Sequence, residues 1–172
     1  MSYLEIAFIA VWIMFAVIGV IRGYPRELGV TAMLLIALFV TEFIEERYQA
    51  LVNQVLAYFA GPDAAAQLTA RVLIYCGFLI VIAYIAYEGD TLVYRGKRGK
   101  VALDLGSGIL NGYLFVGSLW YYLHSANYPI LGRSGEFSLL HQTIIRFLPP
   151  AVFTWQYLIV LVILLILARF WR

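Results

Sequence analysis

Five long apolar stretches that contain no charged residue constrain the fold more than any other feature of this sequence. The stretches are Ile6–Ile21, Leu28–Thr41, Val72–Tyr87, Leu105–Gly132 and Ala151–Ala168. A helix needs about 20 residues, each adding about 1.5 Å, to cross a hydrocarbon core of roughly 30 Å. Because 63% of the 172 residues are hydrophobic and 13% are charged, a soluble domain of this size could not bury so much apolar surface. The sequence therefore predicts an all-α, polytopic membrane protein with about five transmembrane helices.

The predicted boundaries follow the charged residues that separate these stretches. Four spans are predicted in a membrane domain of residues 1–150, near residues 4–22, 27–43, 70–88 and 105–124. An additional C-terminal transmembrane helix is predicted within residues 151–172. Between the second and third spans, residues 44–60 place apolar side chains at helical spacing with polar ones opposite, which is typical of an amphipathic helix on the outer surface of the membrane.

The second stretch, Leu28–Thr41, is short enough to leave two alternatives, a helix that crosses the bilayer or a re-entrant hairpin. If it crosses, lysine and arginine are divided eight to four between the two sides, and if it re-enters they are divided six to six. Because cytoplasmic loops are rich in lysine and arginine, the unequal division favours five spans. This topology places the N-terminus outside and the C-terminus in the cytoplasm.

A short basic turn, residues 22–27, connects the first and second stretches. Its glycine supplies conformational freedom and its proline supplies rigidity, both of which a tight turn between two helices requires. One interpretation is a cytoplasmic hairpin in which a glutamate neutralises one arginine. The alternative is a contact site for anionic lipid headgroups or a protein partner. The residues of this candidate site are Arg22, Gly23, Pro25, Arg26 and Glu27.

A run of small residues lies where the fourth span begins. Gly108 and Gly112 are four residues apart on one helical face, and Gly117 extends the run. Small residues let two backbones approach closely, which is typical of helix contacts in lipid, and Asn111 is placed to hydrogen-bond across such a contact. The run lacks the Lys-Ser/Thr pair and the preceding strand of a phosphate-binding loop. We therefore predict helix packing or self-association here.

A basic loop precedes the fourth span and contains Arg95, Lys97, Arg98 and Lys100. On the cytoplasmic side, each of these residues would contribute about 1 kcal/mol of attraction to an anionic lipid surface. The same residues fix the topology of the chain, because positive loops stay in the cytoplasm. We predict the topological role, with lipid contact as the alternative.

The two histidines, His124 and His141, both lie on the predicted outer side. A weak shared metal site is one hypothesis, and hydrogen-bonded surface side chains are the other. Because neither histidine is placed in mid-helix with a packing partner, as a haem ligand would be, we favour the second and predict no metal and no cofactor. Cys76 is the single cysteine, so no intramolecular disulfide is possible.

None of the five stretches contains Asp, Glu, Lys or Arg. Pumps and proton-coupled carriers place such residues within the membrane, and no catalytic triad, HExxH motif or pair of intramembrane carboxylates indicates an enzyme. We therefore predict a non-enzymatic protein. Its expected partners are membrane lipids and other membrane proteins or a second copy of the chain. The net charge of +2 is too small to indicate a nucleic acid.

Three segments resemble the colicin V production (CvpA) family of bacterial inner-membrane proteins. Gly19–Leu28, with the sequence GVIRGYPREL, resembles the family's Gly-xx-Arg-Gly-xx-Arg-Glu turn. Gly108–Gly112 resembles the glycine-rich beginning of its last span, and Ser138–Pro149 resembles its amphipathic Ser-Leu…Pro tail. The resemblance covers roughly Tyr3–Pro150. It implies a multi-pass protein of the bacterial inner membrane, associated with colicin production and envelope homeostasis and without a catalytic activity.

The chain departs from that family pattern at three places. Asn111 stands where a basic residue is common, and Asp104 stands where an earlier glycine of the run is expected. An additional hydrophobic helix, Ala151–Ala168, follows where the family commonly ends.

Three functional hypotheses follow. The first is a CvpA-type protein that organises or scaffolds membrane assemblies. The second is an accessory subunit of a larger, energy-transducing complex, because residues 158–167 are apolar on every helical face and suit a partner as well as lipid. The third is a small oligomeric channel lined by serine, threonine and asparagine.

Overall fold

The computed structural model describes residues 3–89, 94, 100–129 and 138–170. Every regular element in these ranges is helical, which confirms the prediction of an all-α fold for this part of the chain. The helices are α1 (Tyr3–Arg22), α2 (Tyr24–Arg47), α3 (Gln49–Ala60), α4 (Ala64–Glu88), α5 (Val101–Gly112), α6 (Ser118–Ser125), α7 (Leu139–Ile145), α8 (Pro149–Val152) and α9 (Trp155–Phe170). A π-helical segment, Tyr113–Gly117, joins α5 to α6.

Three of the helices, α1, α2 and α4, are long and apolar enough to cross a membrane. The apolar helix α9 is shorter, with 16 residues. Helix α2 is continuous over 24 residues, or about 36 Å. The re-entrant hairpin considered for Leu28–Thr41 is therefore wrong, because an unbroken helix of this length does not reverse direction.

The core of the molecule surrounds α2. In the most apolar segment of α2, 56% of the residues are buried, compared with 17% in that of α1 and 28% in that of α4. Leu34 and Leu38 of α2 pack in one cluster with Leu79 of α4, Leu114 of the π-helical segment and Leu158 of α9. The outward faces of α1, α4 and α9 carry large exposed apolar side chains, which is the surface that a lipid environment favours.

The amphipathic segment differs from its predicted bounds. Residues 44–47 belong to α2, the chain bends at Tyr48, and α3 begins at Gln49. Helix α3 buries Leu56, while Tyr58 and Phe59 are more than three-quarters exposed. Gly61, with a φ of 78°, ends α3. The Asp63 carboxylate then caps α4 by accepting hydrogen bonds from the backbone N–H groups of the next turn.

Candidate functional site

The basic turn between α1 and α2 is as short as a helix connection can be. Gly23 is its single linking residue and adopts a φ of 84°, which a residue with a side chain rarely adopts. Its N–H donates to the carbonyl oxygen of Gly19 at 2.8 Å, which closes the end of α1. Pro25 lies in the first turn of α2, where its missing N–H has no cost. Glu27 therefore lies about one turn into α2, and its side chain faces the interior.

Glu27 is completely buried and lies at the centre of a polar cluster. Its Oε1 lies 3.2 Å from the Arg22 Nε, and its Oε2 accepts hydrogen bonds from the Tyr87 hydroxyl at 3.1 Å and from the Asn111 Nδ2 at 2.8 Å. A buried charge is tolerated when it has a counter-charge and hydrogen bonds, and here the Oε1 has the ion pair while the Oε2 has the hydrogen bonds. We define the Glu27 centre as Arg22, Glu27, Thr31, Tyr87 and Asn111.

Asn111 connects α5 to α2 through both the nitrogen and the oxygen of its side-chain amide. Its Nδ2 also donates to the main-chain oxygen of Glu27 at 3.0 Å, and its Oδ1 lies 2.7 Å from the Thr31 hydroxyl. Asn111 and Thr31 are both buried. The predicted hydrogen bond of Asn111 across a helix contact is therefore made with α2 of the same chain.

Arg22 connects the turn to the end of α4. Its Nη1 donates to the main-chain oxygen of Tyr87 at 2.6 Å, and its guanidinium carbon lies 4.7 Å from the centroid of the Tyr87 ring. Arg26, in the same turn, is exposed. The two arginines that the sequence places together therefore have different surroundings, one in the Glu27 centre and one at the surface.

Asp104 of α5 caps the beginning of α2 from outside that helix. The N-cap residue of α2 is Gly23, which has no side chain to accept a hydrogen bond. The Asp104 Oδ1 accepts one instead from the Tyr24 N–H at 2.7 Å. Asp104 is 6% exposed, and its charge lies at the positive end of the α2 dipole. Asp104, which stands where the CvpA family pattern has a glycine, thus contacts the basic turn directly.

The glycines of α5 face α1. A Cβ on Gly108 would clash with the main-chain oxygen of Phe15 and lie 2.9 Å from the Gly19 Cα, while one on Gly112 would meet the Trp12 ring. The Trp12 Nε1 donates to the main-chain oxygen of Ile109 at 2.9 Å. Gly117 instead lies against α8: a Cβ added at this position would lie 2.9 Å from the Pro149 ring. The contacts of this face with α1 are thus made within one molecule.

Charged residues are buried in the helices, although none of the five apolar stretches contains one. Glu5 of α1 and Glu27 of α2 are completely buried, and both helices are candidate spans. Asp104 of α5 is buried as well. The apolar stretches were delimited by charged residues, whereas α1 and α2 extend past those residues. These buried carboxylates remove the ground on which a pump was excluded, whereas the sequence still contains no catalytic triad pattern and no HExxH motif.

The histidines meet at the opposite end of the helices. The His141 Nε2 lies 3.1 Å from both the His124 Nδ1 and the Tyr128 hydroxyl, and its Nδ1 lies 3.9 Å from the Glu5 Oε1. The Ser138 hydroxyl donates to the same Glu5 oxygen at 2.5 Å. His141 is completely buried, so its description as a surface side chain is wrong. No group of three metal-ligating residues occurs within the described ranges.

Most of the basic loop, namely Arg95, Lys97 and Arg98, lies outside the described residues. Lys100 is described, and it is exposed immediately before α5. No prediction about this loop beyond that position is tested by the structure.

Comparison with known proteins identifies no relative of this chain. No family model matches it, and no curated protein or solved structure matches it. The resemblance to the CvpA family therefore stays a prediction, and the contacts within the molecule are the remaining indication of function.

Proposed function

We propose that this chain is a non-enzymatic, multi-pass protein of the bacterial inner membrane, of the CvpA type, that organises membrane assemblies. The observation that carries this proposal is the Glu27 centre. It joins the basic turn to the glycine run of α5, which are two of the three segments on which the resemblance rests. Asp104 and Asn111, where the chain departs from the family pattern, supply hydrogen bonds to the same turn.

The topology of this proposal has five spans, with the N-terminus outside and the C-terminus in the cytoplasm. Beyond the three candidate spans, α5, the π-helical segment and α6 form one helical run, Val101–Ser125, that is about 38 Å long. Helix α9 is the fifth span. The cytoplasmic side is the one that carries more lysine and arginine, including Arg22 and Lys100.

Cysteine labelling tests this topology. In a chain with Cys76 replaced by serine, Lys100→Cys is expected to react with a membrane-impermeant maleimide only after the membrane is opened. Gln54→Cys in α3 is expected to react in intact cells, because α3 lies on the outer side in this topology. Both positions are exposed, so burial does not decide the result. Labelling of Lys100→Cys in intact cells would overturn the five-span topology.

The outward faces of the molecule support a role in assembly. On α9, Leu158 and Val162 face the core, while Val160, Ile163 and Leu164 are about half exposed. This face suits lipid and also suits the apolar surface of a partner helix. The same observation supports the second candidate function, an accessory subunit of a larger and energy-transducing complex.

Extraction in a gentle detergent, followed by native sizing and an absorption spectrum, separates the two candidates. The organiser is expected to run as a colourless species that contains only this chain. Co-migration with pigmented or multi-subunit material would contradict that proposal and support the accessory subunit. The same measurement gives the number of copies in the assembly.

A further inference from the structure

A polar cavity of about 280 Å³ opens between α2, α4 and α6, at the end of the helices away from the Glu27 centre. Its lining includes Glu42 and Glu45 from the end of α2, Arg71 and Tyr75 from α4, and Tyr122 from α6. Glu42 and Glu27 are separated by about four helical turns, or roughly 22 Å. The cavity is therefore distinct from the site described above.

The charges around this cavity do not balance. Arg71 lies 3.4 Å from Glu45 and also donates a hydrogen bond to Asn53, and the Tyr75 hydroxyl donates to Glu45 at 2.5 Å. The carboxylate of Glu45 is thus paired. Glu42 is half-buried in the same wall and has a hydrogen bond from the Tyr122 hydroxyl, but it forms no ion pair with any residue in the described part of the chain. The cavity therefore favours a ligand with a positive charge.

The remaining lining suits an ammonium group. The rings of Tyr75 and Tyr122 lie 5.6 Å apart, and those of Tyr121 and Tyr122 lie 6.0 Å apart, all at the same cavity. Aromatic faces attract a cation, and a primary ammonium has three N–H donors for carboxylate and hydroxyl oxygens. Ser125, whose hydroxyl donates to the Tyr122 main-chain oxygen at 2.7 Å, also lines the cavity.

An apolar groove adjoins this cavity. It has a volume of about 250 Å³, lies between α3, the end of α2 and the first half of α4, and is lined by Leu51, Val55 and Ile74 among other apolar side chains. Arg71 and Tyr75 line both the groove and the polar cavity, so the two share a wall. An amphiphile would match this pair of sites, with its headgroup in one and its hydrocarbon chain in the other.

We infer that the two sites together bind a phospholipid whose headgroup carries a primary ammonium, such as phosphatidylethanolamine. The ammonium lies against Glu42 and the tyrosine rings, and an acyl chain lies in the groove beneath α3. An anionic lipid is disfavoured, because its headgroup would meet a carboxylate that has no counter-charge. This inference does not depend on the proposed role in membrane organisation.

Native mass spectrometry of the full chain in detergent tests this inference, with phosphatidylethanolamine and phosphatidylglycerol of the same acyl chains as probes. The unmodified chain is expected to retain the ethanolamine lipid roughly tenfold more than the glycerol lipid, as one charge-assisted contact predicts. Glu42→Gln keeps the side-chain volume and is expected to abolish this preference. Glu46→Gln removes the same charge one turn away, at an exposed position, and is expected to retain it.

A further variant tests the role of the groove without changing any charge. Val55→Trp fills the groove from a half-exposed position on α3 and is expected to lower retention of phosphatidylethanolamine several-fold. Equal retention of the two lipids by the unmodified chain would overturn the inference, and so would an unchanged preference in a folded Glu42→Gln variant. Free ethanolamine that displaces the lipid at equal concentration would also overturn it, because the site would then bind an amine and not a lipid.

Discussion

Replacing Arg22 with methionine is expected to lower the free energy of unfolding by about 3 kcal/mol, the lower end of the usual cost of breaking a buried ion pair, because Glu27 is buried but the Arg22 side chain is partly exposed. Glu27 is completely buried, and the Arg22 Nε, at 3.2 Å, is its counter-charge. The hydrogen bonds from Tyr87 and Asn111 remain in the variant, but neither donor carries a charge. Thermal or denaturant unfolding of the chain purified in detergent measures the loss.

Arg26→Met is the matched control for this variant. It removes the same charge from the same turn, but Arg26 is exposed, and surface charge pairs contribute no more than about 1 kcal/mol. The double variant Arg22→Met/Glu27→Gln is expected to recover part of the loss, because the glutamine oxygen accepts the same hydrogen bonds without a charge to balance. Equal destabilisation by Arg22→Met and Arg26→Met would contradict a specific role for the Glu27 centre.

The sequence predicts where the helices lie in the chain better than it predicts how they pack against one another. Apolar stretches locate α1, α2 and α4 because hydropathy along the chain reflects the length of a helix that lipid accommodates. The same stretches do not show that α2 is enclosed by other helices while α1 is not, since the enclosed helix α2 is the less apolar of the two. The π-helical segment is also invisible in the pattern. It divides the predicted fourth span, and its Gly117 lies against Pro149, a contact between residues far apart in the sequence.

The parts of the Glu27 centre are visible in the sequence, but their contact is not. The basic turn and the glycine run each stand out, yet nothing in their spacing shows that α5 lies beside α1 and α2. One signal was available, because Asp104, Ser107 and Asn111 recur at intervals of three and four residues and form a polar stripe on an apolar helix. All three are buried in the structure. A polar stripe in a membrane helix indicates the face that contacts other helices.

Gly108→Ala and Gly106→Ala are expected to change stability in opposite directions, although the two glycines are two residues apart in α5. A Cβ on Gly108 would meet the Phe15 main-chain oxygen and the Gly19 Cα, and backbone atoms cannot move aside as a flexible side chain does. Such overpacking typically costs about 1–3 kcal/mol, and a contact with backbone belongs at the upper end of this range. A Cβ on Gly106 meets no atom within 4 Å, so that variant is expected to gain up to about 1 kcal/mol from helix propensity alone.

The same unfolding measurement determines both values, and a third variant locates the contact. Gly19→Ala approaches the crossing from the α1 side, where its Cβ would lie 2.5 Å from the Asp104 main-chain oxygen and 2.6 Å from the Gly108 Cα. It is expected to match Gly108→Ala, and the double variant is expected to cost less than the two single losses together, because one separation of α1 from α5 relieves both clashes. Fully additive losses would place the two glycines in separate contacts, and stabilisation by Gly108→Ala would show that α1 and α5 do not cross at this point.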